Sequence, residues 1–132
     1  ALKGQLPWPA DGRIISKFGR QWNSKLKTTT ENPGIDIKGK PGSSIRTVLG
    51  GVVTTITYIR GYGTTIIVDH GGGFYTVYSH VANIQTNVDS QVRNGDVIAY
   101  MGDSGSINGS KLHFEIWGKG QKLDPEKWLR KK

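Results

Sequence analysis

The chain contains no cysteine, which excludes disulfides, thiol nucleophiles and cysteine-bound zinc and leaves the redox compartment open. No run approaches the roughly 18 apolar residues that a helix needs to span a bilayer, so this domain is not expected to insert into a membrane. No leader or lipidation motif is visible. Because the chain starts at Ala1 rather than Met, the expectation is a mature fragment or an excised domain. Aromatic residues make up only 9%, so the core has to lean on Ile and Val. Acidic residues are also scarce, 10 against 18 Lys and Arg, for a formal net charge of +8. Such a balance suits nucleic acid, anionic lipid or an acidic wall polymer. There is no dense basic run with interleaved aromatics of the kind a single-strand binder uses, and no nucleic-acid partner is expected.

Glycine is plentiful, at 19 of 132 positions. It is not periodic and is not joined by abundant proline, which excludes collagen. The apolar residues fall in strand-like runs, which excludes disorder. The length supports one ordinary core and not two.

Residues 1–12, with Leu6-Pro7-Trp8-Pro9, read as a stiff non-helical lead-in, because each proline fixes its own backbone and restricts the residue before it. The domain proper is expected over 13–132. Arg13 to Gly19 reads as a short strand, and the polar stretch from Arg20 to Asn32 as a long loop, of a length more often functional than idle. Gly34-Ile35-Asp36-Ile37 alternates, placing the two Ile on one face and Asp36 on the other. Further strands are expected at 52–59, 64–69, 74–78, 92–100 (opened by an Asn94-Gly95 turn) and 112–117. Asp124 followed by Pro125 announces one short C-terminal helical turn. The spacing predicts an all-β antiparallel sandwich or barrel.

The ordered set Gly34-Ile35-Asp36-Ile37, Gly61-Tyr62-Gly63, Val68-Asp69-His70-Gly71, Tyr78-Ser79-His80, Val92-Arg93-Asn94-Gly95-Asp96, Gly102-Asp103-Ser104-Gly105, Leu112-His113-Phe114-Glu115 and Asp124-Pro125 resembles the LytM, or M23 peptidase, domain over about residues 12 to 130. The resemblance implies a compact antiparallel two-sheet fold with a central groove. In active members it implies a zinc that cleaves peptidoglycan cross-links. Zinc there is held by the His and Asp of His-x-x-x-Asp and by the second His of His-x-His. The first His of His-x-His and the His of Tyr-x-His assist the water. The chemistry needs three nitrogen or oxygen ligands and one open water position.

This chain departs from that pattern at two of five positions. Asn32 stands four residues before Asp36, where the first ligand should be, and Lys111 replaces the first His before Leu112-His113. Asp36, His80 and His113 remain, while His70 matches a position that is not a ligand. An amide oxygen is a poor zinc donor beside imidazole. Lys111 sits two residues from His113 on one strand face, about 6.5 Å away between Cα atoms. At about 6 Å an ammonium repels a dication by several kcal/mol at an effective dielectric of about 20. It is also no general base near neutrality. The expectation is therefore a dead metal site with no cofactor, Asp36 and His113 being vestigial, and Lys111 paired with Asp36 in place of the ion.

What the resemblance then implies is a non-cutting member of the EnvC and NlpD type, which switches on an N-acetylmuramoyl-L-alanine amidase in the periplasm or cell envelope. The expected partner groove comprises Asn32, Asp36, Tyr62, Tyr78, His80, Lys111, His113 and Trp117. The plainer reading of Tyr62, Tyr78 and Trp117 is half-buried sheet aromatics, and that of Lys111 is a solvated lysine. Two other functions stay open. One is an active zinc endopeptidase with Asn32 or Glu31 as a makeshift ligand. The other is a passive module binding peptidoglycan or an anionic polymer, which the positive charge favours.

Overall fold

The computed structural model describes residues 2–102 and 109–132. Ala1, and the part of the Gly102-Asp103-Ser104-Gly105 motif from Asp103 onward, lie outside the described residues. Among those described, the strands are β1 (Arg13–Ser16), β2 (Gly19–Asn23), β3 (Thr28–Asn32), β4 (Ile35–Lys38), β5 (Ser44–Arg46), β6 (Gly51–Ile59), β7 (Gly63–Gly71), β8 (Phe74–Ser79), β9 (Val81–Ala82), β10 (Gln91–Val92), β11 (Val97–Met101), β12 (Lys111–Gly118) and β13 (Gln121–Leu123). The one helix among the described residues is α1 (Pro125–Trp128), and every named strand pairing is antiparallel. The large sheet runs β1-β4-β12-β8-β7-β6-β10, with β13 on the edge of β12, and a small sheet runs β5-β11-β9.

Alternation along β12 organises the molecule. Leu112, Phe114 and Ile116 are fully buried and join Ile35, Ile37, Ile66 and Val68 of the large sheet and Ile45, Ile98 and Met101 of the small one in a single core. Lys111, His113, Glu115 and Trp117 therefore project from the opposite face.

The stretch from 20 to 32, expected to be a loop, is instead a third sheet, the hairpin β2–β3. Thr28, Thr29 and Thr30 are β-branched and favour extended backbone. The Asn23 carboxamide oxygen accepts the backbone N–H groups of Lys25 and Leu26 and closes the turn. The hairpin is exposed almost throughout, so no face is buried and no apolar alternation marks it in the sequence.

The lead-in is tied to the C-terminus. Leu6, 2% exposed, sits in the core and bridges to Leu129, and the Trp8 indole donates to the Arg130 carbonyl at 2.7 Å. The Asp124 carboxylate caps α1 by accepting the Glu126 N–H at 3.0 Å, with Pro125 in the first turn, as its sequence predicts.

Tyr78 requires a correction. Expected in the groove, it is fully buried, because the register sets it opposite Phe114 and Ile66, both core-facing. Its hydroxyl accepts the Val48 N–H at 3.0 Å and lies 2.8 Å from Thr76 Oγ1. That hydroxyl continues the network to His70, whose Nδ1–H donates to the Gly50 carbonyl at 2.8 Å and whose Nε2 accepts from Thr76 at 2.7 Å. Burial holds His70 below its ordinary pKa, against the opposing pull of the Gly50 bond and the Asp69 charge, which suits this neutral arrangement.

Removing the Tyr78 hydroxyl alone should leave a buried backbone donor unpaired. For Tyr78→Phe we expect a loss of about 1–3 kcal/mol in urea unfolding. A midpoint equal to that of the wild type would show that the hydroxyl network contributes nothing to the fold.

Candidate functional site

The site follows from register. β4 pairs with β12 so that Asp36 faces His113 and Lys38 faces Lys111, and on the other side β8 sets Ser79 opposite His113. Directly opposed residues of an antiparallel pair carry side chains about 5 Å apart on one face. Asp36 is thereby brought against His113, with Lys111 on the diagonal. His113 Nδ1 lies 2.6 Å from Asp36 Oδ1, and Lys111 Nζ lies 3.4 Å from Oδ2. Both partners of that ion pair are largely shielded, at 13% and 15% side-chain exposure.

A second carboxylate, which the sequence reading did not single out, completes the arrangement. Glu115 Oε2 lies 2.7 Å from His113 Nε2, and Oε1 accepts the Trp117 indole N–H at 2.7 Å with Lys122 Nζ at 3.8 Å. The available signal was period two on β12: a residue two beyond His113 must share its face. Ionised carboxylates only accept, so His113 satisfies both of them by donating from both ring nitrogens when it is protonated.

Burial by itself would keep His113 neutral, but its hydrogen bonds to Asp36 and Glu115 and their charges raise its pKa above the ordinary value of 6.5. For Asp36 burial pushes upward, and the bond and charge of His113 followed by Lys111 outweigh it and hold the carboxyl below 3.8. Glu115 is likewise held below 4.5 against burial, by bonds from His113 and Trp117 and the charges of His113 and Lys122. The Tyr62 ring packs against His113 at 4.8 Å between centroids, the two planes tilted by 42°. Burial and then the charges of Glu115 and Asp36 raise its phenol pKa.

Six of the eight expected groove residues, Asn32, Asp36, Tyr62, His80, Lys111 and His113, line one cavity of about 210 Å³, with Glu31 also in its wall. Asn32, at the end of β3, is committed locally: its Nδ2 donates to Ser16 Oγ at 2.9 Å and its Oδ1 accepts the Gly34 N–H at 3.1 Å. His80 reaches the cavity because β8 ends at Ser79 and the next residue takes φ 64°, a left-handed turn that breaks the strand alternation. Its N–H donates to the Tyr62 carbonyl at 2.8 Å, and its carbonyl accepts from Gly102 at 3.2 Å. Tyr78 lies in the core, as described. Trp117 lies outside this cavity, four strand residues or about 13 Å beyond His113, and borders a separate depression beside Tyr75.

A hydrolytic zinc needs three free donors and a water position. Here both oxygens of Asp36 and both nitrogens of His113 are bonded within the protein, and the Asn32 amide is spent on Ser16 and Gly34. Lys111 holds a positive charge against the carboxylate that would anchor the ion. No group of three or more His, Asp or Glu among the described residues is arranged to hold a metal. These donors do not fit zinc.

Lys111→Met removes one of the two cations on Asp36. We expect it to cost about 1–2 kcal/mol in urea unfolding at mildly acidic pH, less than a full buried-pair loss because His113 remains. An unchanged midpoint would show the pair to be uncoupled. The network also sets a pH optimum. His113, raised in the folded state, contributes fully below its unfolded value of 6.5 and loses that contribution as pH rises through the higher folded value. Asp36 and Glu115 contribute above 3.8 and 4.5 and lose stability as pH falls through their lowered folded values. His70, lowered in the folded state, adds stability as pH rises towards 6.5, so melting temperature followed against pH should peak in the upper part of the window between 4.5 and 6.5 and decline through neutrality. A rise through neutrality, or an NMR midpoint for His113 below 6.5, would contradict it.

The comparisons with known proteins agree with the fold. The murein hydrolase activator EnvC of Escherichia coli is 33% identical over 98% of this chain and 30% of its own length. The murein hydrolase activator NlpD of Salmonella typhimurium is 36% identical over 92% of this chain and 30% of its own. The chain thus spans under a third of these relatives. Among solved structures, a zinc-containing peptidase from Vibrio cholerae superposes with a TM-score of 0.85 at 22% identity, over 98% of this chain and 41% of that one, a likeness of fold. The model of peptidase family M23 matches residues 30–125, and the chain belongs to that family.

Proposed function

We propose that this domain does not cut murein but docks a murein N-acetylmuramoyl-L-alanine amidase in the Asp36–Lys111–His113 cavity and switches it on, within the cell envelope. The observation that carries the reading is that Lys111 Nζ and His113 Nδ1 occupy the two oxygens of Asp36. In the family pattern Asn32 takes the place of the first zinc-binding histidine and Lys111 that of a catalytic one. A lysine ammonium already paired with a carboxylate is no base for activating water. Two relatives are named murein hydrolase activators, and a third, from Haemophilus influenzae, is named an outer membrane antigenic lipoprotein, which supports an envelope or periplasmic setting.

A concave surface with a tyrosine wall and a fixed set of charges suits a protein hot spot. The domain activates only by binding the open form of its amidase better than the closed one. Turning an enzyme from 1:99 open to 99:1 takes a differential affinity of about 10⁴, or about 5.5 kcal/mol. A buried aromatic anchor is worth about 2–4 kcal/mol, so Tyr62 together with the charged floor is of the right size.

Adding the domain to a purified amidase from the same envelope should raise its turnover of sacculi. Tyr62→Ala should remove at least nine-tenths of that gain while the melting curve persists. Zinc measured on the purified wild type should be substoichiometric, and Asn32→His combined with Lys111→His should raise it. Stoichiometric zinc in the wild type together with hydrolysis of sacculi by the domain alone would sink the proposal.

A further inference from the structure

About 13 Å along β12 from the cavity, on the same face of the sheet, Trp117 and Tyr75 stand directly opposite each other on β12 and β8. Their ring centroids are 6.3 Å apart and their planes inclined at 56°, which opens a wedge rather than a stack. The wedge lies in a depression of about 250 Å³ that also includes Gly73, Gly120, Gln121 and Lys122. Gly73 and Gly120, both turn residues at φ 80°, bear no side chains, and a Cβ on Gly120 would meet nothing within 4 Å, so the rim is open. Glu115 takes the indole N–H of Trp117 at 2.7 Å. That bond stops the ring from swinging and uses its polar atom, so what Trp117 offers a ligand is its face.

Of the polar groups converging on the wedge, Lys122 is held by its ion pair with Glu115 at 3.8 Å. Among the described residues the Tyr75 hydroxyl and the Gln121 amide make no hydrogen bond, and Lys122 is 52% exposed with its Nζ 6.0 Å from the Trp117 ring centre. The size suits one small ring and no helix. A nucleobase would need parallel ring planes to stack between, which 56° denies. A cationic group would be repelled by the Lys122 ammonium, which already stands 6.0 Å from the indole centre. An aliphatic side chain would leave the tyrosine hydroxyl and the amide without partners once they were covered. A pyranose meets all the demands: it has C–H faces to lay on aromatic rings and a rim of hydroxyl and acetamido groups to meet Tyr75, Gln121 and Lys122.

We propose that Tyr75, Trp117, Gln121 and Lys122 form a subsite for one N-acetylhexosamine ring of a glycan strand. The identity of that strand as murein rests on the function proposed above. The subsite holds the domain on the polymer while the cavity, farther along the same strand, faces the amidase.

The probe is a β-1,4-linked N-acetylglucosamine tetramer, titrated into the whole chain and followed by the Trp117 indole N–H resonance and by calorimetry, with the murein stem peptide titrated in parallel. The tetramer should shift that resonance and the peptide should not. Tyr75→Ala should weaken tetramer binding at least tenfold and Gln121→Ala severalfold, with Tyr75→Phe, which keeps the ring, in between. No shift at millimolar tetramer, a shift with the peptide alone, or full affinity in a folded Tyr75→Ala would overturn the assignment. If the tetramer fails to bind while the domain still stimulates the amidase, the subsite falls and the activator reading stands. Tetramer binding through Tyr75 without stimulation gives the reverse.

Discussion

The carboxylate of Asp36, shared between Lys111 and His113, is the constraint on which the site depends. A charge this shielded from water is tolerable only when its attractions and hydrogen bonds repay the lost hydration. Pairing of β4 with β12 supplies both, because register alone sets Asp36 opposite His113. Slipping that pairing by one residue would turn Asp36 into the core and Ile35 and Ile37 out of it. The core and the charged cluster therefore specify the same register, and neither can be satisfied without the other.

The charges alternate along the face: Lys111, Asp36, His113, Glu115, Lys122. On the proposed function, the two protein cations next to the Asp36 carboxylate stand in for the charge of a divalent ion. They cannot do its chemistry, since neither a doubly bonded imidazolium nor an ammonium offers a lone pair. Ion clusters of this kind are seldom the most stable filling for their volume, because desolvation consumes most of the attraction. What the cluster does provide is fixed geometry: every carboxylate oxygen in it has a partner within 3.8 Å.

Much of this was legible in the sequence, and where it was not there are physical reasons. Alternation in Gly34-Ile35-Asp36-Ile37 and in Lys111-Leu112-His113 was enough to put Asp36, Lys111 and His113 on polar faces, because in both segments the aliphatic residues take one face and the ionisable ones the other. β8 gave no such help. From Thr76 to Ser79 it is buried on both faces, so Tyr78 carried no mark of which way it points. His80 faces the cavity although it lies two residues beyond the core-facing Tyr78, because the left-handed turn at His80 breaks the strand parity. The hairpin β2–β3 was unreadable for the opposite reason, being exposed on both faces. Glu115 was readable in principle, yet its role required knowing that His113 needs a second acceptor.

Rigidity decides how such a surface can act. The His113 ring is fixed at both nitrogens, the Trp117 indole is anchored by Glu115, and the left-handed backbone of His80 is clamped by bonds to Tyr62 and Gly102. Side chains already ordered in the free domain lose little entropy on binding, about 0.5–1.5 kcal/mol less for each rotamer-rich group that need not be frozen. A surface prepared in this way gains affinity for whichever partner conformation matches it and has little capacity to adapt to one that does not. If an equilibrium shifts on docking, it is therefore the partner's, and the ion cluster contributes by refusing to move.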